Sequence, residues 1–160
     1  MKFESFTFRA RTIADTDRLG AALAACLPEG AVVSLQGTLG AGKTRLVQAI
    51  AAGCGISRGE VVSPTFVLCR HYEGARNLNH LDTYRLHDED EFLELGVEEL
   101  FASPAITLIE WGDRVAACLP DQRLEITIDI AGNTSRSFTI TPHGERFSEM
   151  LAGLRERLGG

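Results

Sequence analysis

At 160 residues and 17.4 kDa the chain has enough length to bury a core as one domain without disulfide or metal staples. Hydrophobic residues at 44% and charged residues at 24% exclude a disordered, collagen-like or coiled-coil chain. The formal charge of -6 argues against unaided binding to a nucleic-acid backbone. That charge is uneven: residues 1–80 hold nine basic and six acidic residues, whereas residues 81–160 hold seven and sixteen. Only two of the sixteen basic residues are lysines, Lys2 and Lys43, so Lys43 asks for an explanation.

In chain order, Phe3 to Arg9 predicts a short strand. Ala14 to Leu27 predicts an amphipathic helix with Leu19, Leu23 and Leu27 on one side, ended by Pro28 and Gly30. Ala31 to Leu35 is a β-branched apolar strand, followed by a glycine-rich loop and a helix from Lys43 to Cys54. Phe66 to Tyr72 and Leu78 to Leu81 predict strands around a polar turn. Asp88 can cap a short acidic helix reaching Leu95, and Val97 to Ala102 a further turn or two. Ala105 to Ile109 is a second fully apolar strand, and alternation from Leu124 to Ile130 and again at Phe138 and Ile140 predicts a half-buried hairpin about Gly132-Asn133. Glu145 to Leu158 predicts a last helix.

The order implies an α/β fold: one P-loop NTPase domain over residues 1–160, with a mostly parallel central sheet flanked by helices and a C-terminal antiparallel hairpin. No stretch has signal-peptide or membrane-span character, so the expected location is the cytoplasm, with no membrane partner. Cys26, Cys54, Cys69 and Cys118 lack any metal-ligand spacing and are expected to be small buried hydrophobes.

Gly37-Thr38-Leu39-Gly40-Ala41-Gly42-Lys43-Thr44 satisfies G-x-x-x-x-G-K-T between an apolar strand and a helix, the context a phosphate loop requires. Glycines let successive N–H groups converge on phosphate, and the helix N-terminus adds partial positive charge. Lys43 would reach the β- and γ-phosphates, and Thr44 would place its hydroxyl on Mg²⁺. Hydrolysis also needs a carboxylate by the metal and a group that orients water. Acidic residues at the carboxyl ends of strands are the expected suppliers. Glu110, after Ile106-Thr107-Leu108-Ile109, fits best; Asp82, after a shorter and more polar run, fits next.

Taken with Ser63-Pro64-Thr65-Phe66, His80-Leu81-Asp82-Thr83-Tyr84-Arg85 and Glu110-Trp111, in that order and at these intervals, the phosphate loop resembles the TsaE family (formerly YjeE), small bacterial ATPases of tRNA threonylcarbamoyladenosine biosynthesis. The resemblance spans nearly the whole chain. It implies ATP and Mg²⁺ as cofactors. Gly37, Leu39, Gly40, Ala41, Gly42, Lys43 and Thr44 would bind the phosphates, and Thr44 and Glu110 would be the metal ligands. Lys43, Asp82 and Glu110 would be the catalytic set, Asp82 positioning metal-bound or attacking water. Ser63 to Phe66, with Thr65, would form a loop over the nucleotide, while Thr16 would lie near the adenine and Trp111 beside the site. It further implies the partners TsaB and TsaD, which would hold the tRNA, and a slow hydrolysis that resets their complex. Thr38, Leu81 and Thr83 depart from residues common at these places.

Without the family, Ser63-Pro64-Thr65 is also an ordinary turn before a strand. His80 could be a satisfied hydrogen-bonding residue, Arg85 an internal arginine finger or a partner of the acids that follow, and Trp111 a packing residue. The seven carboxylates from Asp88 to Glu99 read as a solvated helix face or as a docking surface for a basic partner. The competing activity is a small-molecule kinase on the same scaffold, although the stretch with Arg114 and Arg123 makes a poor lid. A nucleotide-dependent switch without useful turnover is a third class. A GTPase is disfavoured because Lys2 is the only lysine outside the loop, and an ABC-type ATPase because no Leu-Ser-Gly-Gly-Gln-like segment exists.

Overall fold

The computed structural model describes residues 4–38, 40–61 and 69–159. In chain order the elements are β1 (Phe6–Ala10), α1 (Ile13–Cys26), β2 (Val32–Gly37), α2 (Lys43–Gly53), β3 (Cys69–Tyr72), β4 (Leu78–Asp82), α3 (Glu89–Leu93), α4 (Val97–Ala102), β5 (Ile106–Glu110), β6 (Arg123–Ile130), β7 (Arg136–His143) and α5 (Glu145–Arg157). Short 3₁₀ segments occupy Arg58–Glu60 and Gly112–Cys118.

The two mostly apolar strands, whose Ser34 and Thr107 are buried, become the middle of a seven-stranded sheet of order β1-β7-β6-β2-β5-β4-β3. β2 pairs in parallel with both β5 and β6, and β5 pairs in parallel with β4. Strands covered on both faces have no polar face to show, which is why β2 and β5 do not alternate. β6 and β7 form the predicted hairpin, with Leu124, Ile126 and Ile128 opposite Pro142, Ile140 and Phe138. Its other edge joins β2, so the hairpin belongs to the main sheet, and β1 closes that side antiparallel to β7.

Successive residues along the strands face opposite sides. Val33, Leu35, Ile106 and Leu108 join the large core under α1, α2 and α5, with Leu19, Leu23, Leu46 and Ile50. Val32, Leu81 and Ile109 face the other way and meet Phe92, Val97 and Val115 in a smaller cluster. Asp88 caps α3 by accepting from the Glu91 N–H at 2.9 Å, and Glu91 accepts from the His87 N–H at 2.8 Å, so part of the acidic run serves local helix formation.

α1 and α2 touch backbone to backbone. A Cβ on Gly20 would lie 2.4 Å from Ala49 Cβ, and one on Gly53 would lie 2.6 Å from Ala24 Cβ. This close seam brings the N-terminal turn of α1 beside the loop that opens α2. The cysteines depart from expectation: only Cys54 is buried, while Cys26, Cys69 and Cys118 are half-buried because they sit at element ends and at an edge strand. Burial raises the thiol pKa of Cys54, Cys69 and Cys118.

Candidate active site

The parallel register sets Leu35 beside Glu110 and Glu110 beside Asp82, so three strand ends meet where β2 turns into α2. Gly40 and Gly42 have φ of 80° and 110°. A Cβ at either would meet nothing within 4 Å, so backbone conformation, not crowding, calls for glycine there. Ala41 N–H donates to the Thr38 carbonyl at 3.0 Å, folding the loop over the N-terminus of α2.

Lys43 is 5% exposed and turns its ammonium back into this loop, donating to the carbonyls of Gly37 at 2.9 Å and Thr38 at 3.0 Å. Burial lowers its pKa, opposed by the charges of Glu110, Asp82 and Asp113. The Trp111 ring covers the ammonium, with Nζ 3.8 Å from the ring centroid.

Thr44 Oγ1 lies 2.9 and 3.0 Å from the two carboxylate oxygens of Glu110. Glu110 is itself buried, and its Oε2 lies 2.5 Å from His80 Nε2. His80 is therefore a partner of the central carboxylate, and its Nδ1 has no partner among the described residues. Asp82 is half-exposed and accepts from the Tyr84 N–H at 2.9 Å. Burial raises its pKa, the Tyr84 N–H lowers it, Glu110 raises it, and His80 and Lys43 lower it. Among the described residues no group of three or more His, Cys, Asp or Glu side chains could hold a metal alone. The paired hard oxygens of Thr44 and Glu110 suit Mg²⁺, which is normally completed by phosphate and water oxygens.

Thr16 is buried in the wall of a cavity of about 230 Å³ between α1 and the phosphate loop, together with Thr12, Gly42, Arg45, Asn133 and Arg136. Arg136 Nε donates to the Ala41 carbonyl at 2.9 Å, tying the hairpin to the loop. Arg85 is exposed on the turn after Asp82 and has an interaction of its own.

The structure thus brings together Gly37, Gly40, Ala41, Gly42, Lys43, Thr44, Asp82, Glu110 and Trp111, with Thr16 in the adjoining cavity. Leu39 and Ser63, Pro64, Thr65 and Phe66 lie outside the described residues. Sequence reasoning missed the cavity contribution of Arg136 and Asn133, whose hairpin position carries only a turn signal. It also left the His80 contact open, because that contact depends on β4 lying beside β5.

A strand, a glycine loop closed on its own lysine, and a hydroxyl paired with a carboxylate define the phosphate-loop NTPase fold. The family profile described as "Threonylcarbamoyl adenosine biosynthesis protein TsaE" matches residues 10–138, and the chain belongs to the TsaE family. Relatives named "tRNA threonylcarbamoyladenosine biosynthesis protein TsaE" include one from Treponema pallidum, 40% identical over 131 residues that make up 82% of this chain and 96% of the relative. Another, from Bacillus subtilis, is 41% identical over 138 residues, covering 86% of this chain and 85% of its own. The crystal structure of the Bacillus protein YdiB superposes with a TM-score of 0.82 at 30% identity, covering 98% and 97% of the two chains. Among the described residues no helix is long and apolar enough to cross a membrane.

Proposed function

We propose that this protein hydrolyses Mg·ATP to drive or reset the machinery that forms threonylcarbamoyladenosine on tRNA, in the cytoplasm and with TsaB and TsaD as partners holding the RNA. The names of the relatives support the pathway. The observation that carries the chemistry is the meeting of Lys43, Thr44, Asp82 and Glu110 at the mouth of α2.

In this reading the loop from Gly37 to Gly42, with Leu39, cradles the phosphates, and Lys43 leaves its carbonyl partners to neutralise phosphate oxygens. Thr44 and Glu110 hold Mg²⁺, which when bound spreads the charge of the β- and γ-phosphates. Asp82, open to solvent on one side, orients the attacking water. The base and ribose enter the cavity beside Thr16, Trp111 walls the phosphate end, and Thr65 belongs to a loop over the nucleotide. The arginines a kinase lid would need have structural partners: Arg114 donates to the Tyr84 carbonyl, and Arg123 pairs with Glu125 at 3.0 Å. Hydrolysis therefore fits better than transfer to a metabolite.

The test is phosphate release from Mg·ATP with and without TsaB and TsaD, comparing the parent with Lys43→Ala. The parent should be slow alone and stimulated by partners, and the variant should lose at least about 100-fold of the stimulated rate. Full stimulated hydrolysis by Lys43→Ala would remove the assignment.

A further inference from the structure

Trp111 is the only non-glycine residue with positive φ among the described residues, at φ 62° and ψ 33°. A left-handed Trp costs about 1 kcal/mol or more and persists only where its surroundings enforce it. One cause lies just beyond it. A Cβ on Gly112 would sit 2.0 Å from Ser34 Oγ, so the chain leaving β5 is pressed against β2 and must turn at once.

A second contact addresses the conformation itself. Thr83, 1% exposed, has Oγ1 3.0 Å from the Glu110 carbonyl oxygen and 2.8 Å from the Trp111 carbonyl oxygen. These carbonyls belong to the two peptide groups flanking the Trp111 Cα. In an extended strand successive carbonyls point to opposite sides, so one hydroxyl could not reach both. It reaches both here because the Trp111 backbone is coiled, as a helical φ/ψ of either hand would make it, and not extended. Neither carbonyl depends on the hydroxyl for satisfaction: the Glu110 carbonyl also accepts from Thr83 N–H at 3.2 Å, and the Trp111 carbonyl from Arg114 N–H at 3.0 Å. The hydroxyl is surplus to satisfaction and specific to orientation.

The orientation it selects folds the Trp111 ring over Lys43 and against Tyr84, whose ring centroid is 5.0 Å away. We infer that Thr83 is a positioning residue: its hydroxyl keeps Trp111 out of the extended conformation, and thereby keeps the indole over the phosphate-loop lysine and the end of β5 aimed at Thr44. It touches neither nucleotide nor metal. For turnover this rests on the ATPase reading above, but for the placement of Trp111 it does not.

The test uses the full chain carrying Thr83→Val, which keeps the shape and removes the hydroxyl, and Thr83→Ser, which keeps the hydroxyl. Trp111 is the sole tryptophan, so its emission and acrylamide quenching in the nucleotide-free protein report the ring directly. Thr83→Val should shift emission to the red and raise the quenching constant about twofold, with Thr83→Ser close to the parent. With partners and Mg·ATP, Thr83→Val should lose about tenfold in kcat with a smaller change in KM, because the loop amides still bind phosphate while Lys43 is misplaced. A folded Thr83→Val with parental quenching would overturn the inference, and so would a Thr83→Ser that exposes the ring as much as Val does. If Thr83→Val fails to fold, Thr83→Ser against Thr83→Ala gives the same comparison, with ring exposure expected in Ala alone and equal exposure in both overturning it. Ring exposure in Thr83→Val from a parent that never hydrolyses ATP would sink the ATPase reading and leave the positioning role standing.

Discussion

The two faces of the sheet are built on different plans. On one, α1, α2 and α5 run for 14, 11 and 13 residues and seal a core that includes Leu19, Leu23, Leu46 and Phe147, none of them exposed. On the other, α3 and α4 run for 5 and 6 residues and cover the sheet with a small cluster around Phe92, helped by a 3₁₀ segment with a non-helical kink at Val115. Helices this short gain little stability of their own and depend on the few contacts beneath them. The phosphate loop springs from the first face, whereas Asp82 and Glu110 lead into segments of the second. The candidate site therefore joins a part backed by the large core to a part backed by the small cluster, and the second should open more readily.

Leu23→Ala should make the largest difference between the faces. Deleting a fully buried leucine costs about 3 kcal/mol, and a denaturant midpoint should fall with the whole fold. A Leu23→Ala protein as stable as its parent would contradict the account of the large core. Val97→Ala, under α4, should cost about half as much, and hydrogen exchange should show α3 and α4 opening before the sheet. Uniform acceleration across the chain would mean that both faces unfold as one unit.

Asp82→Asn probes the border between them. Because burial, its largest influence, raises the folded-state pKa, the folded protein binds this proton more tightly than the unfolded chain does. The cost to folding therefore grows as pH rises from the ordinary carboxylate range to the raised pKa, is full above it, and vanishes below the ordinary range. Asn should raise Tm by about 1–2 °C at neutral pH with no gain at pH 3, while partner-stimulated hydrolysis falls. A neutral-pH loss of stability would reverse the sign. The smallest effect is expected from Glu91, Glu94 and Glu98 all changed to Gln: surface changes shift stability by about 0.5 kcal/mol at most, and the amide oxygen that Glu91→Gln leaves in place can still accept from the His87 N–H. A clear drop in Tm would show that the charges themselves hold the lighter face.

Much of this was legible in the chain. The mostly apolar runs Ala31 to Leu35 and Ala105 to Ile109, each with a single small hydroxyl residue, marked strands covered on both sides, and the glycine spacing before Lys43 marked the loop. Asp88 was readable as a cap because its spacing to Glu91 is local. Contacts that need the strand order were not readable: His80 against Glu110, Arg136 against Ala41, and Thr83 across to Trp111 join residues 30, 95 and 28 positions apart. The half-burial of Cys26, Cys69 and Cys118 also escaped, since composition says that a cysteine is small and apolar but not where its element ends.

The glycine seam between α1 and α2 sets a dimension. Non-bonded carbons settle near 3.5–4.0 Å, so a methyl group on Gly20, 2.4 Å from Ala49 Cβ as the helices now lie, would push them apart by more than about 1 Å. Thr12 and Thr16 ride on α1, and Gly42 and Arg45 belong to the start of α2 and its loop. The cavity between them would widen with the seam. Two missing side chains within the seam thus act as a spacer gauge for the cavity, and Gly20→Ala should widen it without altering a single residue that lines it.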